Sequence, residues 1–339
     1  MSAPVTALVA NAGGGTVSTF RIQDGTLTRL AVSEVAQDCG TLAVDTERNL
    51  VYVAGKDPFT ISTCAYDPAT GELEVLDRRE VDESITYLTL TPRGDQLLGV
   101  SYGGGFGQCW PVEGGRLGEP GNQVQHRNLH SVAVTRDGRF AYMVSLGDDL
   151  VARYAITPES GLTEGATFAT PEGCGPRHLV LNANETALYV VTEYSGEVLH
   201  YRRDVDSGDL TLESQTVVVN QEHGLGHSHF GADPVENHFI WGADLHLSHD
   251  EKFLWTSERT KSELATVPVG LAGDPQTPTA FISTEKQPRG FGVTPDGSSV
   301  LVTGEKSTTV TLYAVQPDGT LVESDRQETG AGANWVRFL

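Results

Sequence analysis

Basic residues are scarce in this chain of 339 residues: 23 lysines and arginines face 45 aspartates and glutamates, a formal charge of −22. Contacts of lysine and arginine with phosphates supply most of a protein's affinity for nucleic acid, so this surface would repel DNA, RNA and anionic lipid. We therefore expect no nucleic-acid partner and no membrane partner. The same charge favours a monomer or a weak homo-oligomer.

Long apolar runs are also lacking. No stretch approaches the roughly 18 apolar residues of a membrane-spanning helix, and residues 1–15 have no basic segment before their short apolar stretch. The expectation is a chain without a membrane span or a signal peptide, located in the cytoplasm. The four cysteines form no C-x-x-C pair, which fits packed thiols in a reducing compartment and argues against a disulfide framework or a thiolate zinc site.

Familiar catalytic motifs are missing as well. The sequence contains no Gly-x-Ser-x-Gly elbow and no P-loop, and the glycine triplets at 13–15 and 103–105 occupy equivalent hairpins of a repeat. Several histidines, His223, His227, His229 and His238, fall in one polar stretch. Histidines in such a loop are ordinarily solvated or hydrogen-bonded, so the prediction is a protein without a metal and without a cofactor.

Glycine, by contrast, is abundant, with 38 residues placed at turns between short β-branched runs. Six turns of similar form recur at 45–48, 91–94, 135–138, 182–185, 248–251 and 294–297, and their last residues are 46, 44, 47, 66 and 46 apart. A period near 45 with three to four strands per unit is typical of a β-propeller blade. The 66-residue interval indicates an insertion within 221–242.

A seventh unit is divided between the two ends of the sequence. Residues 7–11 and 16–21 resemble a second and a third strand, whereas 332–339 resemble a first strand. Pairing the two ends completes a blade and removes exposed sheet edges. The sequence therefore predicts one all-β domain over 1–339, a seven-bladed β-propeller of four-stranded blades. Its closure pairs 334–339 with 6–11.

The first strand of each blade lines the central channel, so residues at one repeat position form a ring. Counting back from the end of each first strand gives Gly40, Thr86, His130, Arg177, Ala243, Arg289 and Asn334. Unpaired charges at a crowded axis are costly, so a histidine and two arginines at one position favour a site for an anion or a carbonyl group. Glu193 and Arg259 follow second strands, while Asp244 and His246 alternate beside the ring, where they either bind substrate or fix the strand.

Several segments of the sequence resemble a known family. These are Gly-Pro-Arg-His at 175–178, Thr-Glu-Tyr-Ser-Gly at 192–196, Ala-Asp-Leu-His at 243–246, Ser-Glu-Arg at 257–259 and Gln-Pro-Arg-Gly-Phe at 287–291. They look like segments of the lactonase family of seven-bladed propellers. That family includes the propeller-type 6-phosphogluconolactonases and the fungal carboxymuconate lactonizing enzyme. The similarity extends from the first blade to Asn-Trp-Val at 334–336.

The resemblance implies a catalytic set of His130, Arg177, Glu193 and Arg259. From their positions at or beside the ring, Arg289 is expected to contact an anionic group of the substrate, and Asp244 and His246 are further candidate substrate contacts. Two departures occur in the blade of His130: Asn128 stands where the family usually has a second histidine, and Ser-Leu-Gly at 145–147 where it usually has Asp-Leu-Gly.

The expected activity is hydrolysis of a sugar lactone or phosphorylated sugar lactone, with the lactone as small-molecule partner. Arg177 and Arg259 would hold the oxyanion, while Glu193 and His130 would divide the acid and base roles. Two other functions stay open at this point. One is a cofactor-free muconate-type lactonizing isomerase, and the other is a non-catalytic binding propeller.

Overall fold

The computed structural model describes residues 3–158 and 160–339. Short segments that are either apolar or alternately apolar and polar, separated by turns, form strands along the chain. The strands are β1 Val5–Asn11, β2 Thr16–Gln23, β3 Thr26–Glu34; β4 Thr41–Asp45, β5 Leu50–Gly55, β6 Thr60–Tyr66, β7 Leu73–Glu80; β8 Tyr87–Leu90, β9 Gln96–Ser101, β10 Phe106–Glu113, β11 Arg116–Leu117, β12 Val124–Gln125; β13 Leu129–Val134, β14 Phe140–Ser145, β15 Leu150–Thr157, β16 Gly161–Ala169; β17 Pro176–Leu181, β18 Ala187–Thr192, β19 Glu197–Arg203, β20 Leu210–Val217; β21 Gly242–Leu247, β22 Phe253–Glu258, β23 Glu263–Pro268, β24 Ala280–Ser283; β25 Phe291–Val293, β26 Ser299–Thr303, β27 Thr309–Val315, β28 Leu321–Glu328; and β29 Ala333–Phe338.

These strands form seven antiparallel sheets, which we call blades 1 to 7 in chain order. Blade 1 has the strand order β29-β1-β2-β3, and each later blade begins with its own inner strand: β4, β8, β13, β17, β21 or β25. The inner strands touch their neighbours all the way round, from β29 to β4 and finally from β25 back to β29. The seven-bladed propeller predicted from the repeat is confirmed. The outer edge of blade 3 is divided between β11 and β12, which both pair with β10.

Blade 1 is closed by the two ends of the chain. Strand β29 pairs antiparallel with β1, with Leu8 opposite Arg337 and Ala10 opposite Trp335. This agrees with the predicted pairing of 334–339 with 6–11. The edge of β1 that faces the channel is thereby hydrogen-bonded to β29, so blade 1 is complete and the ring is closed.

The hydrophobic core is divided among the interfaces between neighbouring blades. One cluster joins Leu8 and Val17 of blade 1 to Leu42 and Val53 of blade 2, all of them fully buried. Equivalent clusters lie at the other interfaces. Each sheet therefore buries both faces, which is why the middle strands read as near-continuous apolar runs rather than as strict alternation.

Helical structure in the described residues is limited to short turns. Two 3₁₀ turns cover Ala12–Gly14 and Gln221–His223, and one α-helical turn, α1, covers Pro234–Asn237. The last two lie in the predicted insertion, which connects β20 of blade 5 to β21 of blade 6. No helix in residues 3–158 and 160–339 is long and apolar enough to span a bilayer.

Candidate active site

A cavity of about 410 Å³ opens at the end of the channel where the inner strands begin. We call it the arginine cavity, since three arginines line it. Inner strands begin, and the antiparallel second strands end, at the same edge of each blade. Two residue positions of every blade therefore meet at this mouth. One is the ring at the start of the inner strand, and the other lies one or two residues after the end of the second strand.

Most members of both rings reach the cavity. From the start of the inner strands come Gly40, Thr86, His130, Arg177, Arg289 and Asn334; from the ends of the second strands come Ala12, Lys56, Tyr102, Glu193, Arg259 and Glu305. The four residues expected to be catalytic, His130, Arg177, Glu193 and Arg259, thus line one cavity although they come from three blades. Ala243 is the one residue of the predicted ring that does not line it.

Backbone bulges turn the ring residues toward the channel. His130 lies between two successive paired positions of β13 and has no opposite residue on β14. Arg177 in β17 and Asn334 in β29 are extra residues of the same kind. A bulge disrupts the ladder locally and re-aims a side chain, and such bulges are common beside active sites. The bulge is why these three side chains leave the regular alternation of their strands.

The carboxylate of Glu193 bridges two buried guanidinium groups. Its Oε2 accepts a hydrogen bond of 2.8 Å from Arg177 Nε and one of 3.0 Å from Arg259 Nη2. The arginine side chains are 1% and 2% exposed and that of Glu193 is 15% exposed. Within residues 3–158 and 160–339, Oε1 has no hydrogen-bond donor, so this oxygen is available to a water or a substrate.

Arg177 is held from several sides. Besides Glu193, its Nη1 donates to the carbonyl oxygen of Ala243 and to Nε2 of His178, the latter at 3.2 Å. Burial, together with the charges of Arg259 and Arg289, lowers the pKa of Arg177 to about 9. One guanidinium group thus has three acceptors: the carboxylate of Glu193, the carbonyl oxygen of Ala243 and the imidazole of His178. A buried charge needs such partners because it has lost its contacts with water.

Arg259 packs on an aromatic ring that sequence reasoning did not identify. Its guanidinium carbon lies 3.8 Å from the centre of the Trp241 ring, a close cation–π contact. Trp241 is the last residue of the insertion, and its backbone N–H donates to Glu258 Oε1 at 2.9 Å. Arg259 Nε is buried and has no partner among the described residues. An unpaired buried donor is costly, and a substrate oxygen would satisfy it.

A second arginine–glutamate pair repeats the first. Arg289 Nη1 donates to Glu305 Oε1 at 3.0 Å, and the two residues are 16 positions apart, as are Arg177 and Glu193. Burial alone would raise the pKa of Glu305, but the charges of Arg289 and Arg259 lower it. Sequence reasoning missed Glu305, although the 16-residue spacing from Arg289 was a usable signal.

The opposite wall of the cavity carries a half-exposed ion pair. Lys56 Nζ lies 3.1 Å from Asp38 Oδ2, and both side chains are about half exposed. Together with the arginines, this gives the cavity four cationic side chains against three carboxylates. A chain of charge −22 thus keeps a local excess of positive charge at one mouth of its channel, which favours an anionic or strongly polarised ligand.

The surroundings of His130 favour the neutral imidazole. Burial and the charge of Arg177, reinforced by His178, hold the pKa of His130 well below its usual range. His130 is 4% exposed, and its Nδ1 has no hydrogen-bond partner among the described residues. The ring meets Tyr102 edge-on at 5.8 Å between centroids. A neutral histidine can orient a substrate or accept a hydrogen bond from it, but it lacks the acidic proton of an imidazolium.

Asp244 and His246 lie outside the arginine cavity. They line a separate cavity of about 450 Å³, formed by the later parts of the inner strands, together with His178. Asp244 Oδ1 is 2.7 Å from His178 Nδ1, and Asp244 Oδ2 is 3.4 Å from His246 Nε2. The structure therefore brings Arg289 together with the four expected catalytic residues, but it does not bring Asp244 and His246 there.

The histidines of the insertion make separate contacts. His223 Nε2 lies 2.9 Å from Glu263 Oε1, while His227 Nδ1 and His238 Nε2 lie 2.7 and 2.9 Å from backbone carbonyl oxygens. In residues 3–158 and 160–339, no group of three or more histidine, cysteine, aspartate or glutamate side chains could hold a metal ion. The four cysteines are buried and free.

Residues 5–338 match the model of a family described as "Lactonase, 7-bladed beta-propeller". Similar curated proteins named 6-phosphogluconolactonase come from Pectobacterium carotovorum, 28% identical over 93% of this chain and 92% of that protein, and from Serratia proteamaculans, 26% identical over 98% of both.

Solved structures share the fold. A protein from Lactobacillus plantarum superposes with a TM-score of 0.88 at 22% identity, covering 99% of this chain and 100% of the other. The periplasmic gluconolactonase of Pseudomonas aeruginosa superposes with a TM-score of 0.86 at 22% identity, covering 99% of both chains. With its propeller, its arginine cavity and a family match over nearly its whole length, this chain belongs to the lactonase family of seven-bladed β-propellers.

Proposed function

We propose that this protein hydrolyses a lactone, opening the ring of a sugar lactone or a phosphorylated sugar lactone with water. The observation that carries the proposal is the convergence of Glu193, Arg177 and Arg259 in one cavity with a neutral His130. Hydrolysis of an ester needs an activated water, donors for the developing oxyanion and a proton for the leaving alkoxide. Membership in the lactonase family and relatives named 6-phosphogluconolactonase support the same reaction.

Glu193 is the proposed base. Its Oε2 is held by both guanidinium groups while Oε1 is available, so the carboxylate is oriented without being fully occupied. It takes a proton from water as the water oxygen bonds to the lactone carbonyl carbon. When the tetrahedral intermediate collapses and the ring C–O bond breaks, the protonated carboxyl returns the proton to the alkoxide. His130, being neutral, contacts and orients the substrate rather than acting as the acid.

Arg177 and Arg259 are the proposed oxyanion donors. Each gives one N–H to Glu193 and keeps further N–H groups, including the unpaired Nε of Arg259. Because both side chains are almost fully buried, they are fixed before the substrate arrives. Preorganised donors in a site that excludes water stabilise developing charge more than solvated ones do.

The outer cations are the proposed contacts for an anionic substituent. Arg289 and Lys56 are paired with carboxylates but remain 31% and 47% exposed, so a phosphate or carboxylate on the substrate can reach them. An arginine fork binds such planar or multidentate anions well. On this basis we propose a substrate with an anionic group, such as a phosphorylated aldonolactone.

A pH-stat assay tests the proposal, with spontaneous hydrolysis subtracted at each pH. We expect turnover of aldonolactones, with a higher kcat/KM for the phosphorylated form than for the plain sugar lactone. A loss of ultraviolet absorbance from a muconate without net acid release would instead establish the lactonizing isomerase. No turnover of any lactone or muconate would leave a binding propeller. The cytoplasmic location and the monomeric or weakly oligomeric state stay predictions, to be checked by cell fractionation and light scattering.

A further inference from the structure

A chain of hydrogen bonds links the cavity of about 450 Å³ that Asp244 lines, which we call the far cavity, to the arginine cavity. Asp244 Oδ1 lies 2.7 Å from His178 Nδ1, His178 Nε2 lies 3.2 Å from Arg177 Nη1, and Arg177 Nε lies 2.8 Å from Glu193 Oε2. Asp244 and His178 line the cavity on the far side, whereas Arg177 and Glu193 line the arginine cavity. The two cavities are therefore joined by side chains.

The partners of His178 define its protonation. A carboxylate only accepts and a guanidinium only donates, so Nδ1 carries the proton and Nε2 accepts from Arg177. This assigns the neutral Nδ1–H tautomer from the hydrogen-bond network. Burial and the charge of Arg177 also lower the pKa of His178 to about 4, which agrees with a neutral ring at physiological pH.

The same contacts fix the plane of the Arg177 guanidinium. Nη1 carries two hydrogens, and its two acceptors are His178 Nε2 and the carbonyl oxygen of Ala243. Nε points to Glu193. Three N–H groups are thus committed to protein acceptors. The fourth and fifth, on Nη2, remain for a ligand.

His178 is itself held in place by rigid neighbours. Its ring meets Tyr87 and Trp335 edge-on at centroid distances of 5.6 and 5.7 Å and lies 5.1 Å from His130. Asp244 accepts from the backbone N–H of Phe291 at 3.2 Å, which ties blade 6 to blade 7. The charged groups that face His178 are Arg177 and Asp244, and the charge of Arg289 and the titratable but neutral ring of His130 lie nearby.

We propose that Asp244 and His178 are positioning residues for lactone hydrolysis: through the Nδ1–H tautomer of His178 they set the orientation of Arg177, without touching the substrate. This proposal rests on the hydrolase function proposed above. A guanidinium that rotated about its Cδ–Nε bond would lose its alignment with Glu193 and with the oxyanion. Misplacement of a catalytic group by about 1 Å can cost roughly 10²-fold in rate.

The test compares two substitutions of the same residue. His178→Gln keeps a carbonyl acceptor and an N–H donor at comparable separation, whereas His178→Leu removes both. We expect kcat to fall about 10–100-fold in His178→Leu with a smaller change in KM, and to recover to within several-fold of wild type in His178→Gln. The matched controls are His200→Leu and His200→Gln, because His200 is a buried histidine of the same blade that stacks on Tyr189 and does not contact Arg177.

Any of three results would overturn the proposal. The first is full activity in His178→Leu. The second is an equal loss in the Leu and Gln variants, which would indicate a packing role only. The third is a loss in His178→Leu no larger than that in His200→Leu. Thermal unfolding of all four variants corrects each rate for the folded fraction.

A spectroscopic measurement separates this proposal from the hydrolase function. If no lactone is turned over by the wild type, the hydrolase proposal fails, but the orientation of Arg177 can still be observed by NMR of its guanidinium protons, assigned through Arg177→Lys. We expect hindered rotation of Nη1, seen as two separate proton signals, in wild type and His178→Gln. Averaged Nη1 signals in wild type, or separate signals that persist in His178→Leu, would contradict the positioning role.

Discussion

Replacing Glu193 with glutamine is the sharpest test of the site. The amide keeps the shape of the side chain and a carbonyl acceptor for Arg177 and Arg259, but it removes the charge and the proton-accepting oxygen. Loss of a general base typically costs about 10²–10⁴ in rate, so we expect turnover to fall by that factor. KM is expected to change much less, because the arginines that bind the substrate remain.

The same change should lower stability. Glu193 accepts from two guanidinium groups that are 1% and 2% exposed, and a neutral carbonyl compensates their charges less well than a carboxylate. A hydrogen bond to a charged group contributes about 1.5–3 kcal/mol. Since the amide still accepts, we expect a decrease of about 2 kcal/mol in the free energy of unfolding, measurable by denaturant titration.

Glu305→Gln is the matched control. Glu305 forms the equivalent pair with Arg289, lines the same cavity and lies at the same 16-residue spacing. If Glu193 is the base, Glu305→Gln retains turnover and mainly lowers KM for an anionic substrate, because the cavity then has one carboxylate fewer beside Arg289. Equal losses of turnover in both variants would refute the assignment. Full activity in Glu193→Gln combined with an inactive His130→Ala would transfer the base role to His130.

Three further outcomes are expected. Arg177→Ala should raise KM and lower kcat together, and Arg177→Lys should restore little of either, because an ammonium cannot reproduce the guanidinium fork; steady-state kinetics on the best lactone decides. The free energy of unfolding should fall as pH decreases from about 6.5 toward 4, because His130 and His178 stay neutral in the folded state and take up protons on unfolding. Each of the two histidines contributes up to about 1.4 kcal/mol per pH unit. Urea titrations at several pH values should show a weaker pH dependence in His178→Gln than in wild type. The four cysteines should resist iodoacetamide in the native state, because they are buried and burial raises the pKa of each thiol to about 12; mass spectrometry that detects rapid labelling of the folded protein would contradict this.

Much of the site was predictable because the fold repeats. Once the blades are aligned, a residue at the start of one inner strand has counterparts in all the others, and six of the seven ring residues indeed line the cavity. The pair of Arg289 and Glu305 could have been predicted in the same way, from the spacing of Arg177 and Glu193. In a repeating fold, a fixed spacing in the sequence therefore predicts which side chains lie near each other in the structure.

The remaining parts depend on local backbone detail that a sequence pattern does not reveal. In blade 6 the bulge at the start of β21 leaves Ala243 and Asp244 between two paired positions. Asp244 lines the far cavity, although it follows the ring position directly. Trp241 reaches Arg259 from an insertion with no counterpart in other blades. A long connection of this kind has no repeat to align with, so its contacts could not be inferred.

In the two rings of the arginine cavity, the side chains that face the substrate can change without altering the hydrogen bonds that hold the blades together. Each blade presents one side chain at the start of its inner strand and one after its second strand, and the ladder hydrogen bonds beneath them do not depend on which side chains these are. An exchange at Lys56, Tyr102 or Asn334 would therefore reshape one wall while Arg177, Glu193 and Arg259 keep their mutual contacts. Proteins with this same scaffold can thus diverge in the lactone they accept through a handful of substitutions, each confined to its own blade.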